Sequence, residues 1–212
     1  MTAVRETPGM HQLAVYCADV GSIKQGNFGW VRKEVPAGEV ERHRGGTEIL
    51  GLVDTVVQDL AASVPVALGF ECPLFVPVPE DPSSLGAARP GERTRPWSAG
   101  AGTGALTTGL VQAAWVLTEL RNRWPSNRVF LDWTAFAATG AGLFLWEAFV
   151  TEKAKAVTHA DDAAIAVACF TAALPDPGQA KAVTAQRPLS LVGAAAICHA
   201  YTERRTLPKT AR

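Results

Sequence analysis

Leu13-Ala14-Val15-Tyr16-Cys17-Ala18 (LAVYCA) is an unbroken apolar run that contains valine and tyrosine, and Asp19 followed by Gly21 ends it. A short apolar run bounded by a turn signal is the pattern of a buried central strand. Asp19 therefore stands at a strand end. After a polar link over 22–27, Phe28 to Val35 (FGWVRKEV) alternates apolar and polar residues, as an antiparallel partner strand does, so a β-hairpin opens the fold. Glu39 to Arg44 is a weak candidate for a third, edge strand: charge dominates it and Gly45-Gly46 is expected to stop it.

Further along, Thr47 precedes Ile49, Leu50, Leu52, Val53, Val56, Val57 and Leu60, whose spacing predicts one apolar stripe on a helix running to about Ser63. Pro65 to Phe70 (PVALGF) predicts a second buried strand, followed at once by Glu71 and by Cys72-Pro73, which cannot continue a ladder. Glu71 is thus a second carboxylate at a strand end. The segment 77–104 is rich in Pro, Gly, Ser and Arg and reads as a long surface insertion or active-site loop. Ala105 to Arg123 predicts a helix with Leu106, Leu110, Ala113, Ala114, Leu117 and Leu120 in phase. Asn127 to Thr134 fits either a strand or a helix. Leu143 to Val150 predicts a strand with Glu147 in its apolar centre, Thr158 to Ala173 an alanine-rich helix, and Leu189 to Thr202 a last helix after Pro188.

The totals agree with an α/β chain of one domain. Its 212 residues suffice for a core of their own but not for a second full domain. Twenty basic and twenty acidic residues cancel, so any contact with nucleic acid must come from local patches rather than from a general basic field. Cys17, Cys72, Cys169 and Cys198 lie far apart with no CxxC pair, which predicts reduced thiols and a cytoplasmic location. The N-terminus lacks a secretory pattern. The longest uncharged apolar stretch, Ala135 to Trp146, is shorter than the roughly 20 residues of a spanning helix, so no membrane contact is expected.

Two carboxylates at the ends of neighbouring buried strands repel in a low dielectric unless a cation joins them. Oxygen ligands of this kind suit Mg²⁺ or Mn²⁺. A third ligand is available on the alanine-rich helix, where His159, Asp162, Ile165, Ala166 and Cys169 fall three or four residues apart and share a face. Asp162 is expected to point inward, with Asp161 about 100° round the helix. The plainer alternative is that Asp161 or Asp162 simply caps the helix start. Glu147 is a further candidate ligand, against the reading that it faces solvent.

Asp19, Glu71 and the His159/Asp162 pair match in kind and order the ribonuclease H-like superfamily. The segments Asp19 to Trp30 (DVGSIKQGNFGW), Gly69 to Leu74 (GFECPL) and Trp146-Glu147 resemble a family of uncharacterised ribonuclease H-like nucleases, in which Asp is commoner than Glu at the position of Glu71. The late helix resembles that of Holliday-junction resolvases. Spanning about residues 13 to 173, the resemblance implies a mixed sheet, antiparallel in its first strands and parallel after them, with helices on both faces. It also implies two-metal phosphodiester hydrolysis, with Asp19 bridging the metals, Glu71 and Asp162 holding one each, and His159 ligating or positioning water.

Other signals carry less weight. Arg89, Arg93 and Arg95 in the long loop are candidates for an anionic substrate, although solvated arginines are the blander reading. Gly100 to Gly104 lacks the context of a Walker motif and reads as a hinge. Arg204, Arg205, Lys209 and Arg212 make a basic, solubilising tail. Two other classes compete with the nuclease. Asp19-Val20-Gly21-Ser22 also resembles the first phosphate motif of actin-like ATPases, which would need a homodimer to complete a site. A non-catalytic scaffold fits the neutral charge, and carboxylates more than about 8 Å apart would favour it.

Overall fold

The sheet begins where the apolar run predicts. In the computed structural model, which describes residues 12–36, 44–92, 96–125, 128–149, 157–180, 183–185 and 187–193, β1 (Leu13–Asp19) is buried along its whole length. It pairs antiparallel with β2 (Gly29–Val35), which in turn pairs antiparallel with β3 (Arg44–Gly46). On its other side β1 runs parallel to β4 (Val66–Phe70), β4 to β7 (Leu143–Glu147), and β7 to the two-residue β6 (Val129–Phe130). The resulting order, β3-β2-β1-β4-β7-β6, is a mixed sheet of the expected kind. A second sheet pairs β5 (Phe75–Pro77) with β8 (Pro188–Ser190).

Helices cover both faces, and the alternation of side chains along each strand divides the core between them. Ala14, Tyr16, Ala18, Leu68 and Phe70 pack against Leu52, Val53 and Val56 of α1 (Ile49–Ala61) and Ala113 and Val116 of α2 (Gly100–Arg123). Leu13, Val15, Cys17, Ala67 and Phe144 pack against Phe136 of α3 (Trp133–Thr139) and Ala163, Ala166, Val167 and Phe170 of α4 (His159–Ala172). Each Val or Leu so enclosed contributes about 1.5–3 kcal/mol over leaving it in water. A polar tie also fixes α1: Arg32 of β2 grips both oxygens of Asp59, at 2.8 and 3.0 Å, and the Tyr16 hydroxyl donates to the same carboxylate.

Several elements differ from expectation. β3 falls on Gly45-Gly46 instead of ending there, because a ladder needs only main-chain groups and Trp30 to Arg32 supply the partners. Residues 128–134 are neither one strand nor one helix: β6 ends, and Asp132 caps α3 by accepting from the Ala135 N–H at 2.7 Å. α2 starts at Gly100, so the glycine-rich segment is its first turn rather than a hinge, and the long loop ends near residue 99. The buried face of α2 runs through Gly109, Gln112, Ala113, Val116 and Leu120, with Leu106, Leu110 and Leu117 only half-buried. Pro188–Ser190 is strand, with residues 191–193 helical after it. The remainder of that predicted helix, Glu39 to His43, Arg93, Arg95, Cys198 and the basic tail all lie outside the described residues. No helix among the described residues is long and apolar enough to cross a membrane.

Candidate metal centre

Strand parity places the first carboxylate. Asp19 follows Leu13, Val15 and Cys17 at steps of two, so it faces the α4 side of the sheet. Parallel pairing sets Ala18 beside Phe70, and the Glu71 N–H donates to the Ala18 carbonyl at 2.8 Å. Glu71 therefore stands beside Asp19 on the same face.

The third carboxylate arrives on α4, whose N-terminus is fixed by Thr158. The Thr158 hydroxyl accepts from the Asp161 N–H at 3.2 Å and donates to the Asp161 carboxylate at 2.6 Å, so Asp161 belongs to the cap and is exposed. Asp162, about 100° further round, turns inward and is only 4% exposed; Asp19 is 3% exposed. Asp19, Glu71 and Asp162 each bring a carboxylate oxygen within 4.8 Å of the others. That is well inside the separation at which shared ligation fails. His159, the first residue of α4, hydrogen-bonds Asp19 through Nδ1 and leaves about a third of its side chain in solvent.

Gly29 makes this approach feasible. It is the register partner of Asp19 across the hairpin, and a Cβ there would lie 2.4 Å from the Ala160 nitrogen and 2.6 Å from the His159 carbonyl carbon. The first turn of α4 thus rests on the backbone of β2, which delivers His159 and Asp162 to the strand ends. Sequence reasoning passed over this residue. Its trace was the glycine that interrupts the alternation of FGWVRKEV just where Asp19 needs a partner.

The donor set suits a hard divalent cation. Oxygens around one Mg²⁺ at 2.0–2.1 Å lie about 2.9 Å apart when adjacent and about 4.2 Å apart when opposite, so the three carboxylates would draw together to share an ion. The positive end of α4 adds to the attraction for anionic groups. Cys17, directly beneath Asp19 on the same face, takes no part as a thiolate. Burial, then the charges of Glu71 and Asp19, push its thiol well above the ordinary range.

Glu147 does not join the cluster. It ends β7 rather than sitting mid-strand, and it pairs beside Phe70 on the opposite face from Asp19 and Glu71. There Arg89 meets it with both ends of the guanidinium, Nη2 to Oε1 at 2.7 Å and Nη1 to Oε2 at 3.0 Å, while the Leu74 N–H donates to Oε2 at 2.9 Å. Neither expected role, metal ligand or solvent-facing residue, describes it. Arg89 also corrects its expected role. At 2% exposure it is enclosed, its Nε donating to Glu92 at 2.8 Å and its Nη1 to the Phe75 carbonyl at 2.7 Å, so it is a structural cation and not a substrate contact. Burial pushes the Glu147 carboxyl upward while Arg89 and the Leu74 N–H pull against it. For Arg89, burial opposes the charge, but Glu147 and Glu92 outweigh it and hold the pKa above normal.

Cys17 and Cys72 are buried free thiols, as expected for apolar segments, but Cys169 is exposed at the edge of the α4 face. The inward residues of α4 are Asp162, Ala163, Ala166, Val167 and Phe170, a stripe rotated slightly from the one through Ile165 and Cys169. Compared with protein-family models, curated proteins and solved structures, the chain matches none.

Proposed function

We propose that the chain is a divalent-metal-dependent phosphodiester hydrolase, a nuclease in the broad sense, acting at Asp19, Glu71 and Asp162. The observation that carries the reading is the convergence of these carboxylates, from two strand ends and one helix start, to within 4.8 Å in a largely buried setting. Grouping three acids where water is scarce is costly, and a divalent cation held between them offsets that cost. The three residues would hold Mg²⁺ or Mn²⁺, which when bound supplies Lewis-acid polarisation and a readily deprotonated water.

The protein's own groups complete the chemistry. His159, oriented by Asp19 through Nδ1, keeps Nε2 for accepting or returning a proton at the solvent side of the site. The N-terminus of α4 directs its field toward the position where phosphate oxygens would sit. The donor set of three carboxylates is all-oxygen and favours hard ions.

Calorimetric titration with Mn²⁺ and cleavage of end-labelled oligonucleotides test the reading. Wild type should bind Mn²⁺ and cleave. Asp19→Asn should lose at least about 100-fold in both, because even outer-shell partners of a metal typically account for 10- to 100-fold. Cleavage that survives unchanged in Asp19→Asn removes the site from the reaction.

A further inference from the structure

We propose that the cavity beside the carboxylate cluster, about 1040 Å³, is a subsite for the nucleobases of a single-stranded nucleic acid whose phosphate lies at Asp19, Glu71 and Asp162. The inference rests on the phosphodiesterase reading and adds the substrate class.

Its position follows from the sheet register. Phe70 pairs with Glu147, and the Ala148 N–H donates to the Phe70 carbonyl at 2.9 Å, so Ala148 lies beside Glu71 at about one strand spacing, roughly 4.8 Å. Ala148 lines the cavity, and so does Trp146 in the row below. The cavity therefore reaches the neighbour of Glu71 through Ala148, and it continues round β7 to Leu145 and Glu147 on the other face. β6 leaves room for it, since it pairs with β7 only at Leu143 and Phe144.

Its chemistry separates base from phosphate. The wall carries a continuous set of rings: Trp146 lies 4.6 Å from Phe170, and Trp133 meets both Phe144 and Phe170 edge-on at 5.3 and 5.6 Å. Gly69 makes space for the Trp146 indole, since a Cβ there would come within 2.4 Å of that ring. No lysine or arginine is among the described residues that line the cavity, and its acids are Asp132, Asp176 and the Arg89-paired Glu147. The ringed part of such a wall accepts a flat, uncharged, partly apolar group, and aromatic stacking is how bases of single strands are held. With a volume at the upper end of the small-molecule range, the cavity admits a base with its sugar. A duplex keeps its bases stacked inside, so the proposal specifies single-stranded or locally opened substrate.

Cys169 offers a direct probe, being an exposed thiol on the cavity wall. The full-length wild-type protein would be treated with a maleimide in the presence of Ca²⁺ or without metal, and modification of Cys169 read by peptide mass spectrometry, which distinguishes it from Cys198. A single-stranded oligonucleotide is expected to slow Cys169 modification at least about fivefold, while an abasic strand of equal length and charge leaves it unchanged. DNA and RNA strands, run in parallel, rank the two sugars. Equal protection by the abasic strand, or no protection by either strand, overturns the base subsite. Loss of Mn²⁺ binding and cleavage in wild type would instead sink the hydrolase reading, and base-dependent protection would still be read independently with uncharged nucleosides.

Discussion

Asp19 and Glu147 end strands that flank β4 on either side, yet they have opposite fates. Asp19 joins Glu71 and Asp162 in a group of acids, with the imidazole of His159 as its hydrogen-bond partner. Glu147 is closed by the Arg89 guanidinium and the Leu74 N–H. One residue of parity separates them: Asp19 shares a face with Cys17 and α4, whereas Glu147 shares a face with Phe70. A carboxylate at the end of a buried strand is therefore not a site in itself. What decides is which groups the neighbouring elements bring to that face: a buried guanidinium for Glu147, two further acids and an imidazole for Asp19.

The contrast predicts different responses to charge removal. Arg89→Met should have the largest effect, lowering unfolding free energy in urea by about 3–5 kcal/mol, since it strands Glu147 and Glu92 in the interior. Adding Glu147→Leu should restore part of the loss, and a double variant no more stable than the single would mean that the pair is not what Arg89 supports. Gly29→Ala comes next. Its methyl group must displace the first turn of α4, at a cost of about 1–3 kcal/mol, and Mn²⁺ affinity should fall with it even though no ligand has changed.

Asp162→Asn should act on binding more than on stability. It keeps the size of the side chain while removing a charged oxygen donor, so tight Mn²⁺ binding should be lost in calorimetry. An Asp162→Asn variant that still binds Mn²⁺ tightly would erase the distinction between the two regions. The smallest change is expected for its neighbour: Asp161→Asn, at an exposed cap residue, should stay within about 0.5 kcal/mol of wild type and leave the calorimetric isotherm alone.

These differences also mark how far the sequence could be read. Asp19, Glu71 and Asp162 were legible because each lies at the edge of a strongly patterned segment, where period alone fixes orientation. The side of the sheet that Glu147 occupies could be read from alternation, but its partner could not. Arg89 comes from an irregular loop 58 residues earlier, and no local period reports where such a side chain ends. The start of α2 at Gly100 rather than Ala105 is hidden in the sequence because glycine lowers helix propensity, which tertiary packing overrides. Gly29 escaped notice because its role is to be absent where another helix needs space.

The order in which the three acids leave the ribosome follows from the same architecture. His159 meets Asp19 across 140 residues of chain, and α4 is the last long helix among the described elements. During synthesis the hairpin and the central parallel strands can pair well before α4 is available, so a nascent chain holds two of the acids without the third. Closure of the site is then a late, long-range step, slow in the way that non-local contacts are slow. On the proposed reading, a newly made chain would gain metal affinity only once α4 has docked.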